Sequence, residues 1–213
     1  MRVRDIMTTN VVTIPSSTPI AQAKRILQAH KFRRLPVVDK GKLVGIVTEK
    51  RLEQVSPSKA TSLTVWEMSY LLEKTAVKDI MEKHVLTVPP DMTAEESLAY
   101  AQDQKVGCLV VIENNNVVGI LTTNDFIYNV VNPMIGLNDP GSRIKVAGGG
   151  ELKPLEDILS TINELGSEVL TVHTQHKPDQ KIRDVCIHIK TEDAGPLISA
   201  LENKGYSTSP VNR

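Results

Sequence analysis

Apolar positions along this chain recur with two periods, and the places where the period changes mark its elements. Short β-branched runs at 11–14 and 85–88 end at Pro15 and Pro89, as strands do. Helical spacing follows each of them. Thr18 and Pro19 have the character of an N-cap and a first helical residue, and Thr93-Ala-Glu-Glu96 fits a capping box. Ile20, Ala23, Ile26, Leu27 and His30 then fall on one helical face. Apolar runs of strand length come next, at 35–39 and 43–48 around Asp39-Lys-Gly-Lys42, and at 109–113 and 117–122 around Asn114-Asn-Asn116. Both connectors carry hairpin turn chemistry. A last helix starts after Thr48 and after Thr122. Each unit is therefore β-α-β-β-α. Its hairpin cannot cover both of its own faces, so the two units are expected to pack sheet against sheet.

These units are copies of one another. A shift of 74 residues aligns 3–52 with 77–126 without a gap, and 15 of the 50 positions are identical. About three would be expected by chance, so the duplication is real. Between the copies, Ser56–Ser62 reads as a loop and Leu63–Thr75 as a helix. Val65, Met68 and Leu72 share one face of that helix, with Trp66 and Tyr70 beside it. From 142 onward the order becomes β-α-β-β-α-β. Arg143–Ala147 reads as a strand, Gly148-Gly-Gly150 as a flexible turn that could also bind an anion, and 153–165 as a helix with a Leu155, Ile158, Leu159, Ile162 stripe. Glu168–His173 and Arg183–Ile189 alternate as half-exposed strands, followed by a helix over 194–204 and a short strand over 206–211. The expected boundaries are 1–55 for the first copy, 56–76 for the linker, 77–135 for the second copy and 136–213 for the tail. The fold class is α/β (α+β).

Bulk composition narrows the function. At 213 residues and 40% hydrophobic the chain can fill two or three cores. Its 25 basic and 25 acidic residues cancel, so no global field draws it to nucleic acid or to an anionic membrane. No apolar run approaches the roughly 20 residues that span a bilayer, and Met1–Asn10 lacks the apolar stretch of a signal peptide. Cys108 and Cys186 lie far apart, each inside a strand pattern, and read as buried free thiols of a cytoplasmic protein. His173 and His176 form an HxxH, but residues i and i+3 of a strand face opposite sides, so no metal is expected there. No nucleophile with a nearby base and no carboxylate pair can be assembled, so no enzyme activity is expected.

One corner of the repeat carries candidate chemistry. In Gly119-Ile-Leu-Thr-Thr-Asn-Asp-Phe126, Thr122 ends a strand and Asp125 lies in the first turn of the next helix. A carboxylate is favoured there by the helix dipole, and its two oxygens can accept from the vicinal hydroxyls of a ribose. The same residues can also simply cap the helix. In the first copy the matching stretch is Gly45–Leu52, where Thr48 remains but Arg51 replaces the acid. A guanidinium only donates, so that corner cannot accept from a ribose.

The motifs Asp-Ile-Met, Val-x-Thr-h-Pro, h-Pro-Val-Val and Gly-h-h-Thr-x-x-Asp (h being apolar), in that order and in tandem over residues 1–130, resemble cystathionine-beta-synthase (CBS) domains. The resemblance implies a regulatory pair that binds an adenosyl ligand such as AMP, ADP, ATP or S-adenosylmethionine in the cleft between copies, requires no cofactor and forms a homodimer. It implies a pocket of Thr122, Asn124 and Asp125 completed by Thr8, Val12, Phe32 and Arg33, with Thr48 and Arg51 marking a doubtful second site. The cluster His30–Arg34 could supply charge to a phosphate, through Arg33 or Arg34. The tail resembles an ACT domain, but its loop before the first helix is Glu151-Leu-Lys-Pro154 instead of the Asp and Gly of amino-acid binders, which favours dimerisation. A CBS pair with a helical insert and an ACT-like tail is similar to acetoin-utilisation regulators, implying a link to acetoin or acetyl-CoA metabolism and an unknown downstream protein. The alternative is an interaction scaffold whose pockets stay empty.

Overall fold

The computed structural model describes residues 1–55, 67, 70, 73–176 and 181–211. Most of the helix expected over 63–75 lies outside them. Glu67, Tyr70, Glu73 and Lys74 are helical, and the Lys74 ammonium stands 5.6 Å from the Tyr70 ring centroid. The chain forms two compact units, Met1–Phe126 and Ile127–Arg213.

The first unit contains both copies. In the first copy, α1 (Val3–Ile6) and α2 (Ile20–His30) precede β1 (Arg34–Asp39), β2 (Lys42–Thr48) and α3 (Glu49–Val55). In the second copy, a 3-10 turn (Val77–Asp79) precedes β3 (Thr87–Val88), α4 (Ala94–Asp103), β4 (Cys108–Glu113), β5 (Asn116–Thr122) and α5 (Thr123–Phe126). Both hairpins close through two residues with positive φ, Lys40 and Gly41 (49° and 80°) or Asn114 and Asn115 (51° and 64°). That geometry matches the twist of the paired strands. Both hairpins also carry a register shift at the same place, between Val37 and Val38 and between Val111 and Ile112.

Several local expectations shift. The first strands are shorter than their apolar runs, because only Thr87–Val88 pairs in the second copy and only Ile14 bridges Val37 in the first. Helix α2 begins one residue late, after Pro19, and the Thr18 side chain does not cap it. The Thr93–Glu96 capping box forms in full. Ile20, Ala23 and Leu27 are buried on α2, whereas His30 is exposed and stacks on Phe32 at 5.1 Å.

The copies exchange their leading segments. Val3 N–H donates to Met92 O (2.9 Å) and Val77 N–H to Thr18 O (2.8 Å), positions that the 74-residue shift makes equivalent. Thr8 and Ile120 exchange two backbone hydrogen bonds of 3.0 Å, and Glu82 and Ile46 exchange two of 2.9 Å. Val77 and Ile80, which open the second copy, are buried in the core of the first with Leu27, Leu35 and Leu52. Each buried aliphatic of this kind contributes about 1.5–3 kcal/mol, and neither copy supplies the whole set. Arg2 and Arg4 add exposed ion pairs to Asp91 (3.0 and 2.8 Å), which are worth little individually.

The second unit is an antiparallel sheet in the order β7 (Val169–Gln175), β8 (Asp184–Ile189), β6 (Ser142–Val146), β9 (Thr208–Pro210). After Asn132–Ile135 (α6), its helices are α7 (Leu152–Glu164) and α8 (Gly195–Asn203). This is the ferredoxin-like β-α-β-β-α-β order expected of the tail. Ile158 and Ile162 of α7 and Leu197 and Leu201 of α8 pack on Ile144, Val146, Val185, Ile187 and Ile189. Lys204 and Tyr206 donate to Asp157 (2.9 and 3.0 Å), hold its carboxyl below the usual range, and tie the chain after α8 to α7. Strand β8 is buried at all six positions instead of alternating: Val185, Ile187 and Ile189 join the core under the helices, and Gly136, just after α6, lies against His188. Leu159 is 38% exposed while Thr161 is buried, its hydroxyl bonded back to Asp157 O at 2.8 Å. The glycine turn is packed: a Cβ at Gly149 would meet Val185 and Ile158 at 2.6 and 2.7 Å. His173 pairs with Cys186 in the sheet and His176 is exposed beyond the strand. No helix among the described residues is long and apolar enough to cross a membrane.

The exchange predicts a sensitive position. A Cβ at Gly45 would stand 2.6 Å from Met81 Sδ and 2.9 Å from the backbone oxygen of Glu82, which cannot swing aside. Gly45→Ala is expected to lower the unfolding free energy in urea by about 1–3 kcal/mol. An unchanged midpoint would mean that this seat is loose.

Candidate functional site

The corner at Thr122 is built by the end of β5 and the first turn of α5. Asp125 folds back on that turn, and its Oδ2 accepts from Thr122 N–H at 2.7 Å and from the Thr122 hydroxyl at 2.6 Å. Its Oδ1 accepts from the Thr8 hydroxyl at 3.0 Å. Thr8 comes from the leading segment of the first copy, held there by its backbone pairing with Ile120. The exchange therefore brings three of the sequence-predicted residues, from both copies, to one carboxylate.

The remaining candidates are placed in different ways. Val12 and Phe32 are half-buried and pack against the first copy's core. Arg33 and Asn124 are exposed, and Arg33 O accepts from Glu49 N–H at 2.9 Å. Arg34, half-buried at the start of β1, reaches across to the second copy. Its Nη2 lies 3.2 Å from where a Cβ of Gly107 would be, and Thr123 Oγ1 is 3.6 Å from the same point. Gly107 thus leaves room for a guanidinium beside the Thr122–Asp125 corner.

Cys108 occupies the position equivalent to Arg34 and feels both charges. Burial pushes its thiol up to about 11, with the Asp125 carboxylate adding to that effect and the Arg34 guanidinium opposing it. Cys108 is half-buried, not fully buried as its strand pattern suggested, and Cys186 is buried. Both are free thiols.

The equivalent corner of the first copy is occupied by the chain itself. Thr48 Oγ1 accepts from Arg51 N–H at 3.1 Å, and Arg51 Nε donates to Ile80 O at 3.2 Å. Arg51 therefore anchors the leading segment of the second copy. At each corner, the residue three positions after the threonine holds the incoming segment, by accepting at Asp125 and by donating at Arg51. That shared structural task has no sequence signal beyond the repeat itself.

Known proteins match this arrangement. The CBS domain family model matches residues 3–56 and 77–132. The chain is 32% identical to a Vibrio cholerae protein provisionally assigned to acetoin utilization (AcuB). Its structure superposes with a TM-score of 0.52 over 62% of this chain and 91% of that one. The CBS domain pair of protein MJ0100, solved with 5′-methylthioadenosine and S-adenosyl-L-methionine, is 25% identical, with a TM-score of 0.51 over 62% of this chain and 97% of that one. An inosine-5′-monophosphate dehydrogenase of Korarchaeum cryptofilum is 27% identical over 93% of this chain but only 38% of its own length. The chain thus spans little more than a third of that enzyme, and 34% of the Thermoplasma acidophilum dehydrogenase it also matches.

The Cys108 environment predicts its reactivity. A thiol raised from 9.0 to about 11 carries about a hundred-fold less thiolate at pH 8, and the thiolate is the nucleophile. The fold favours the neutral thiol, so this contribution to stability is full below about pH 9 and fades as pH rises through about 11. Iodoacetamide at pH 8, followed by mass spectrometry of the Cys108 peptide, is expected to label the native protein about a hundred-fold more slowly than the urea-unfolded chain. Equal rates would contradict the burial of this corner.

Proposed function

The chain belongs to the CBS domain family, and on that premise we propose that it is a non-catalytic regulatory protein that holds an adenosyl ligand at the Asp125 corner of its CBS pair. The observation that carries this reading is the meeting of Thr8, Thr122 and Asp125 at the junction of the two copies. A carboxylate oxygen can accept two hydrogen bonds. Oδ2 is filled by the two donors of Thr122, so Oδ1, shared with the exposed Thr8 hydroxyl, is the acceptor offered to a ribose. Arg34 supports a phosphate nearby, while Val12 and Phe32 supply apolar surface for a base. Asn124 and Arg33 stand at the rim. At the Thr48 corner the guanidinium of Arg51 is committed to Ile80 O and offers no acceptor, which supports one pocket per pair.

Such a ligand would signal by population shift. It touches Asp125 of one copy and Thr8 of the other, so it biases their relative packing if it binds two arrangements with different affinity. The tail's four-stranded antiparallel sheet with two helices supports an ACT-type assignment, and exposed apolar side chains such as Tyr128 and Met134 (63% and 61% exposed) support self-association into a cytoplasmic homodimer. The likeness to the acetoin-utilization protein supports a role in acetoin or acetyl-CoA metabolism, exercised on a downstream protein. A scaffold with empty pockets is the second reading, favoured by one observation: the Asp125 carboxylate already accepts three hydrogen bonds within the chain.

Thermal unfolding against AMP, ADP, ATP, S-adenosylmethionine and NADH separates the two. A ligand at 100 times its dissociation constant adds about 2.7 kcal/mol, or about 5–10 °C for a chain of this size. At least one adenosyl compound is expected to give such a shift, and Asp125→Ala to abolish it. No shift with any compound, or a shift that Asp125→Ala leaves intact, would leave the scaffold reading in possession.

A further inference from the structure

A cavity of about 340 Å³ opens on the first unit, between the start of β2 and the segment leading into β3. It shares no lining residue with the Asp125 corner. Its floor is aliphatic, formed by the half-buried Leu43 and Val44 of the first copy and Val85 and Ile112 of the second. Ile112 follows the register shift in β4, the kind of irregularity that re-aims a side chain. The rim is polar and exposed, with Lys42, Lys83, Thr87 and Asn115. No acidic residue lines it, and neither lysine takes part in an ion pair among the described residues.

The duplication makes this rim informative. The 74-residue shift places Asn116 opposite Lys42, Thr9 opposite Lys83 and Gly41 opposite Asn115. Both cations are therefore confined to one edge of the pseudo-symmetric pair, the edge reached by the leading segment that Arg51 anchors. Nothing in the packing of the hairpins requires them, since the equivalent hairpin forms without them.

We propose that this cavity binds a small organic phosphate with a flat apolar body. Two lysines, one from each copy, match a phosphate dianion as point charges. Thr87 and Asn115 add hydroxyl and amide donors. Four aliphatic side chains suit a ring, and the volume falls within the range of about 300–1,000 Å³ usual for small-molecule sites. A ligand held here bridges the copies independently of Asp125.

Phenyl phosphate is the probe, titrated by calorimetry into the full chain and into Asp125→Ala, with inorganic phosphate and benzoate for comparison. Saturable 1:1 binding is expected in both proteins, weakening as salt rises. The double variant Lys42→Gln, Lys83→Gln should keep its melting temperature, because both side chains are exposed, and bind about ten-fold more weakly or worse. Inorganic phosphate and benzoate should each bind more weakly than phenyl phosphate. The proposal is overturned by absent binding, by unchanged affinity in the lysine variant, by loss of binding in Asp125→Ala, or by either comparison anion binding as tightly. Measurement in Asp125→Ala keeps this outcome separate from that of the adenosyl pocket.

Discussion

Met7 lies against Gly119 and Met81 against Gly45, and each contact seats the leading segment of one copy on the hairpin of the other. Both glycines stand opposite the residue where the hairpin register shifts, Val111 or Val37. A side chain at either glycine would fill the space its methionine occupies. The backbone pairings Thr8 with Ile120 and Glu82 with Ile46 follow directly from this seating. With them comes the completion of the first copy's core by Val77 and Ile80. The pair is in this sense a single folding unit, in which the first copy does not close its own core.

The same exchange creates the chemistry. It delivers Thr8 to Asp125, and at the other corner it delivers the Ile80 carbonyl to Arg51. The corners are equal in backbone and unequal in hydrogen-bonding sense. A carboxylate that holds its segment through a hydroxyl can share that acceptor with a ligand. A guanidinium that holds its segment through a carbonyl has only donors to share. Arg34 and Cys108 repeat the asymmetry, since the equivalent positions carry a cation in one copy and a raised thiol in the other.

Much of this architecture was legible in the chain. Gly41 and Asn114-Asn115 announced their turns because positive φ suits glycine and asparagine, and the Thr93–Glu96 box announced its helix. The Thr122–Asp125 corner stood out because its twin carries Arg51. The exchange itself was not legible, since Val-x-Asp-Ile-Met reads identically whichever copy it packs on. The burial of β8 on both faces depends on what covers the sheet opposite the helices, such as Gly136 against His188, and periodicity within the strand is silent on that. His30 kept helical spacing yet stacks outside the core on Phe32, and Asp125 spends one oxygen on its own turn. Both outcomes were settled by neighbours distant in sequence or by local capping that competes with binding.

The proposed function requires one competent adenosyl pocket per chain. Calorimetric titration with adenosyl compounds that carry no phosphate, S-adenosylmethionine and 5′-methylthioadenosine, counts that pocket without engaging the lysine-rimmed cavity. A single binding site per chain is expected for at least one of them. Two equivalent sites, or none for either compound, would overturn the proposed function.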